Sequence, residues 1–199
     1  MPELTSNAGY ANEADKLAIQ YEKLRFEDTQ ADLIPFLPAP GLAIDIGAGT
    51  GRDVGWLAAH GWTCVAVEPT AELRAHAQRL HPDPAITWID DGLPTLASLQ
   101  PYAGQAQMVL MTAVWMHLTR EERVAAMPRL AELLAPGGIL AMTVRHGPVP
   151  EGRRMFEIAD SEVLADAIGL GLTTVQHNDR RADTQARPGV FWSRFIFRR

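Results

Sequence analysis

The stretch Leu42-Ala-Ile-Asp45-Ile-Gly47-Ala48-Gly49-Thr-Gly51-Arg52-Asp53 constrains this chain more than any other. An apolar run ends in an acid, and three glycines follow at alternate positions. A helical pattern, Val54-Gly-Trp56-Leu57-Ala-Ala, then begins. This predicts a strand, a tight glycine turn and a helix, the arrangement of a nucleotide-binding junction. Glycine takes positive φ without steric cost and lets a ligand approach bare backbone.

The flanking chain repeats the strand–helix alternation. Before the turn, Ala14, Leu17, Ala18, Tyr21 and Leu24 fall at helical steps, with Asn12 as the expected N-cap. Residues 1–11 are small and polar and predict a loose start. A second short helix is expected from Thr29 to Phe36, ending before Pro38, Pro40 and Gly41. Strands are predicted at Leu42–Ile46, Thr63–Val67, Ile86–Ile89, Met108–Met111 and Ile139–Val144. Helices are predicted over 53–59, after Glu68, and after a Thr119/Glu122 capping box. Beyond Val144 the pattern loosens. Ser161 reads as a helix cap, Leu172–Val175 as strand six and Val190–Phe197 as strand seven. The stretch between them, Gln176–Gly189, is polar with one Pro-Gly break.

This alternation predicts an α/β fold, a three-layer αβα Rossmann-like arrangement with a mostly parallel sheet. At 199 residues the chain fits a single domain, 1–199, with a helical cover over 1–40 and the core over 41–199. The net charge of -6 argues against nucleic acid as the main partner. No apolar run is long enough to span a bilayer, so no membrane partner is expected. The single cysteine, Cys64, excludes an internal disulfide and suits a cytoplasmic setting. No zinc-ligand spacing and no H-E-x-x-H occurs, so no metal site is expected.

A dinucleotide turn wants a small residue three positions after its second glycine, where this chain has Arg52. That counts against a nicotinamide-dependent oxidoreductase, as does the lack of a Tyr-x-x-x-Lys pair. Acids end three successive strands: Asp45, Glu68, and Asp90 or Asp91. In an open parallel sheet, ligands bind at those ends. Glu68 suits a pair of ribose hydroxyls, and Asp90 or Asp91 suits an adenine amino group. An acid beside the turn at Asp45 suits a cofactor carrying positive charge.

With these residues in order, the sequence resembles the class I S-adenosylmethionine-dependent methyltransferases. The resemblance rests on Asp45-Ile-Gly47-Ala-Gly49-Thr-Gly51, Val65-Ala-Val67-Glu68 and Trp88-Ile-Asp90-Asp91-Gly92-Leu93-Pro94. It also rests on Val109–Leu118 and on Leu134-Ala-Pro136-Gly137-Gly138-Ile139-Leu140. It implies a seven-stranded sheet of order 3-2-1-4-5-7-6, with strand seven antiparallel. It implies that Gly47, Ala48, Gly49 and Gly51, followed by Arg52, pass the methionine part of the cofactor. Asp45 would orient its amino group, Glu68 hold the ribose, and Asp90 with the backbone at Asp91 read adenine. Thr112 and Ala113 would line the methionine side. Tyr10 or Tyr21 would close over the cofactor. Many members carry an acid just before strand four; here that place reads Ala106-Gln107. The Asp/Asn-Pro-Pro-aromatic signature of amino-methylating DNA enzymes is absent, which turns the expectation toward a small-molecule acceptor.

Methyl transfer needs alignment and exclusion of water, and a base only when the nucleophile arrives protonated. His117, after strand four, and His146, after strand five, are the candidate bases. The plainer roles are holding the next helix for His117 and a loop hydrogen bond for His146. Arg145, Arg153 and Arg154 would receive an anionic acceptor, or else be solvated surface residues. Trp115, Met116, Met155 and Phe156 would form an apolar wall or simply core, and Trp56, Trp88 and Trp192 read as core. A cofactor-binding partner that has lost catalysis is the reading from another class.

Overall fold

The computed structural model describes residues 5–199, so the first four residues of the expected loose start lie outside it. Seven strands form one sheet: β1 Leu42–Ile46, β2 Thr63–Val67, β3 Ile86–Ile89, β4 Ala106–Thr112, β5 Leu134–His146, β6 Thr173–Ala182 and β7 Phe191–Arg198. Their order is β3-β2-β1-β4-β5-β7-β6. The β1, β2, β3, β4 and β5 pairings are parallel, and β7 runs antiparallel to both β5 and β6. The seven-stranded Rossmann-like arrangement is therefore as the resemblance implied.

The helices are α1 Ala14–Tyr21, α2 Phe26–Thr29, α3 Arg52–Ala59, α4 Ala71–Leu80, α5 Arg120–Leu133 and α6 Asp160–Gly169. Alternate strand residues feed two apolar layers, as the pleat requires. Ile44, Val65, Val109, Leu140 and Met142 pack with Met127 and Leu130 of α5 and Val163 of α6. Ala43, Cys64, Ala66, Met108 and Ala141 pack with Val54 and Leu57 of α3. Burial pushes the Cys64 thiol up to about 12, so it stays protonated and inert. Among the described residues, no helix is long and apolar enough to cross a membrane.

Several boundaries differ from expectation for identifiable reasons. Asn12 lies inside a short 3-10 turn, Ala11–Glu13, and does not cap α1. The second helix is earlier and shorter, at α2, followed by a 3-10 turn Ile34–Phe36. Pro35 has no N–H for an α-helical bond there. Helix α5 does begin at the Thr119/Glu122 capping box. Helix α6 starts at Asp160 with Ala159 before it, and Ser161 is not its cap. Strand six does not end at Val175, because β6 continues through the polar stretch to Ala182. As the sheet's edge strand β6 needs no alternating apolar pattern, and register shifts within it carry Arg181 to Trp192.

The Ala106-Gln107 pair lies within β4, where Gln107 has a structural task. Its Oε1 accepts the Leu42 backbone N–H at 2.6 Å, which ties the start of β1 to β4.

Candidate functional site

The C-terminal ends of the parallel strands open into a cavity of about 470 Å³, lined also by Tyr10, Leu17 and Tyr21 of the N-terminal segment. This is the edge where open parallel sheets bind ligands. Two ends of the cavity differ in charge.

The acidic end is built by β1, β2 and the turn. Gly47 and Ala48 donate to the Val67 carbonyl at 2.8 and 3.0 Å, which folds the turn back onto β2. The three glycines serve three purposes. At Gly47 (φ +73°) a Cβ would lie 2.5 Å from Val114 Cγ2. At Gly51 (φ +86°) it would meet Trp88 and His81. At Gly49 (φ +58°) it would meet nothing, because this residue borders the cavity. Glu68 is buried. Its Oε2 accepts the Gly49 N–H and its Oε1 the Thr70 N–H, both at 2.8 Å, which leaves lone pairs for a ligand. Burial raises its carboxyl above the ordinary value. Asp45 is 2% exposed and its Oδ1 has no hydrogen-bond partner among the described residues. Burial, then the neighbouring Asp53 charge, holds its carboxyl well above the ordinary range. An unpartnered buried acid on a cavity wall is satisfied by a cation.

Arg52 is drawn to Asp53, its Nε donating to Oδ1 at 2.7 Å. Asp53 also accepts from Gln30 Nε2 at 2.8 Å and from Thr112 Oγ1 at 3.1 Å. Gln30 Oε1 in turn accepts from Arg194 at 2.7 Å. This buried polar chain links α2, α3, β4 and β7 beneath the cavity. Nothing in the sequence pattern singled out Gln30, Asp53 or Arg194. Ala113 takes φ +60° and donates its N–H to Thr143 Oγ1 at 2.9 Å.

Asp45, Gly47, Ala48, Gly49, Arg52, Glu68, Thr112, Ala113, Tyr10 and Tyr21 all line the cavity, and so does His117. Gly51, Asp90, Asp91 and His146 do not line it. Asp90 is exposed and paired with Arg74 at 2.8 Å. Asp91 accepts the Gly92 and Ser98 N–H groups, both at 2.7 Å, so it shapes the loop whose Gly92 and Leu93 reach the cavity.

The basic end is built by β5, β6 and β7. The register pairs Arg145 with Trp192, and Trp192 with Arg181. Residues directly opposite share a face, so this row points at the cavity together with Thr143 and Arg194. Trp192 is thus a wall residue rather than core. His146 follows Arg145 on the strand and faces the opposite way. Its Nε2 lies 2.9 Å from Ser193 Oγ and its ring stacks on Phe191 at 4.6 Å, toward Asp160 of α6. Arg145 in β5 and Arg153 and Arg154 after it are not solvated surface. Arg145 is buried, Arg153 pairs with Glu13 at 2.5 Å, and Arg154 pairs with Glu122 at 2.5 Å. Met116 and Met155 line the wall, Trp115 is core, and Phe156 is exposed.

His117 sits between the ends. Its Nδ1 lies 2.6 Å from the Arg154 carbonyl, which can only accept, so Nδ1 carries the proton. Its Nε2 therefore accepts from the Tyr10 hydroxyl at 3.0 Å. Burial, reinforced by Arg153 and Arg154, lowers the imidazole below its ordinary value and keeps it neutral. Burial likewise raises the Tyr10 phenol. Among the described residues, no group of His, Cys, Asp and Glu could hold a metal ion.

Against known families, residues 43–138 match the model described as a methyltransferase domain. That span runs from β1 into β5 and contains the glycine turn, Asp45, Glu68 and His117. Over that span the chain is similar to methyltransferase domains, and its sheet has the strand order that the class I resemblance implied. Solved structures share the fold at low identity. A Burkholderia thailandensis 1,6-didemethyltoxoflavin-N1-methyltransferase, solved with 1,6-didemethyltoxoflavin and S-adenosylhomocysteine, is 20% identical. It covers 96% of this chain and 85% of its own, with a TM-score of 0.74. The magnesium protoporphyrin IX methyltransferase of Synechocystis, solved with bound S-adenosylmethionine, is 17% identical over 96% of this chain and 80% of its own (TM-score 0.65). A Mesorhizobium loti S-adenosylmethionine-dependent methyltransferase is 18% identical over 85% and 96% (TM-score 0.64). No curated protein matches the sequence.

Proposed function

We propose that this protein transfers a methyl group from S-adenosylmethionine to a small-molecule acceptor. The observation that carries the reading is the unpartnered, buried Asp45 carboxyl on the cavity wall beside the glycine turn and Glu68. A cofactor with an ammonium, a sulfonium and a ribose diol fits that donor set. Asp45 would neutralise the ammonium, and Glu68 would accept from the two ribose hydroxyls. The bare backbone at Gly49 would let the methionine part lie close, and Gly92 with Leu93 would border the adenine. Bound S-adenosylmethionine supplies an already activated methyl group for direct displacement.

The chain's own residues then have three tasks. Tyr10, Leu17 and Tyr21 close the cavity and exclude water. The wall of Met116, Met155 and Trp192 confines an acceptor against the cofactor end. Tyr10 and His117 move a proton where the acceptor arrives protonated. The Tyr10 oxygen accepts the acceptor's proton as its own passes to His117 Nε2. His146, turned toward α6, has no part in this scheme.

Incubation of the protein with tritium-labelled methyl donor and a low-molecular-mass metabolite fraction tests the reading. Label is expected in a small-molecule product. A folded protein that binds the donor but labels nothing in that fraction would instead be a non-catalytic binder.

A further inference from the structure

Six arginines line the cavity: Arg52, Arg145, Arg153, Arg181, Arg187 and Arg194. Five of them have a carboxylate at 3.9 Å or closer. Arg145 has none among the described residues. It is 8% exposed, near the end of β5 before the Gly147–Pro148 break. Its Nη1 donates to the Pro148 carbonyl at 2.9 Å and touches Met155 Sδ at 3.8 Å. Among the described residues, its buried Nε has no partner and no hydrogen bond reaches its Nη2. The acid that acts on it from nearby, Asp183, is already held by Arg187 and by the Trp192 indole at 2.9 Å. Burial, and then the Arg187 charge, depresses the guanidinium below its ordinary value. A buried, unpaired guanidinium weakens a fold. Its free edge, Nε with Nη2, is the side-on fork that binds an oxyanion through two parallel hydrogen bonds.

The geometry points to an oxyanion subsite at Arg145: the methyl acceptor is a small organic anion whose carboxylate or phosphate docks on the Nε–Nη2 edge. Trp192, Arg145's partner across β5 and β7, and Met155, which touches Nη1, both line the cavity and fit an apolar body attached to the anion. Asp45 and Arg145 then divide the cavity by charge, so that cofactor and acceptor enter opposite ends. This assignment rests on the methyltransferase reading, but the anion site can be read without turnover.

The test is a calorimetric titration of wild-type protein and R145M, each with and without saturating S-adenosylhomocysteine. The probes are benzoate against benzamide, hexanoate against hexanamide, and phenyl phosphate against phenol. Wild type is expected to prefer at least one anion over its neutral partner by tenfold or more, and the pair that shows it separates carboxylate from phosphate. R145M should lose that preference while its S-adenosylhomocysteine affinity stays within twofold, and R145K should keep only part of it. R145M should also melt at or above the wild-type temperature, which keeps the binding result readable. Equal binding of anions and neutral partners by wild type overturns the subsite, as does an undiminished preference in R145M. A large loss of S-adenosylhomocysteine affinity in R145M also overturns it, by moving Arg145 to the cofactor. If S-adenosylhomocysteine fails to bind wild type, the methyltransferase reading falls while the anion preference of the free protein still decides the subsite.

Discussion

The two ends of the cavity are made differently. The acidic end is a local product of sequence: Asp45 and Glu68 each stand at the end of a parallel strand, and the turn between them is one short stretch. The basic end is a product of pairing. Arg145, Trp192 and Arg181 come from three strands and meet only because the antiparallel register of β5, β7 and β6 puts them in one row. The first kind of site survives in a motif. The second exists only once the sheet is assembled.

The largest test of that contrast is Glu68→Ala. The substitution removes the acceptor of the Gly49 and Thr70 N–H groups and the ribose partner together. Charge-assisted hydrogen bonds contribute about 1.5–3 kcal/mol each, so S-adenosylhomocysteine affinity should fall roughly 100-fold by calorimetry. An unchanged affinity would remove Glu68 from the site.

The glycines sharpen the same end. Gly47→Ala and Gly49→Ala share the cost of positive φ, about 1 kcal/mol. Gly47→Ala also drives a methyl onto Val114, so it should melt several degrees lower than Gly49→Ala. Gly49→Ala should instead keep most stability and lose about tenfold in cofactor affinity, since its new methyl enters the cavity. Equal melting temperatures would contradict the placement of Val114.

The turn, its strand and the strand order were legible because each rests on local pattern: alternation, glycine spacing and acids at strand ends. What was not legible depended on direction and register. His146 and Arg145 are neighbours in sequence and both looked like cleft residues, but the pleat sends one toward α6 and the other into the cavity. Trp192 reads as core from composition, and only its pairing with Arg145 moves it to the wall. Gln30 carries no motif at all, although it is fully buried and joins Asp53 to Arg194. Edge strand β6 hid in a polar stretch because its exposed face needs no apolar alternation.

Asp45→Asn probes the sign of the acidic end. Asp45's folded carboxyl titrates above its unfolded value. It therefore favours the fold at pH below the unfolded value and loses that contribution as pH rises through the raised folded value. At pH 8 the variant should melt above wild type in the absence of ligand. Its affinity for S-adenosylmethionine should be about tenfold weaker there. It should also lack part of the wild-type rise in affinity between pH 5 and 8, measured by calorimetry. A variant that melts lower and binds as wild type would place Asp45 in a purely structural role.

The smallest effect is expected between the two ends. Tyr10→Phe removes one hydrogen bond to neutral His117, about 0.5–1.5 kcal/mol. His117's folded value is lowered from 6.5, so its contribution to stability is present above that pH and is lost as pH falls through the lowered value. Losing the Tyr10 donor should raise the His117 value toward 6.5 in an NMR titration. A further drop would contradict the tautomer assigned from the Arg154 carbonyl.

The central claim is that the end of the cavity holding Asp45, Glu68 and the glycine turn binds the methyl donor. Calorimetric titration of the wild-type protein with S-adenosylmethionine and S-adenosylhomocysteine tests it most directly. The account predicts one-to-one binding of both, with Kd in the micromolar range or tighter. A folded protein that releases no heat with either ligand, and binds NADH instead, would contradict it.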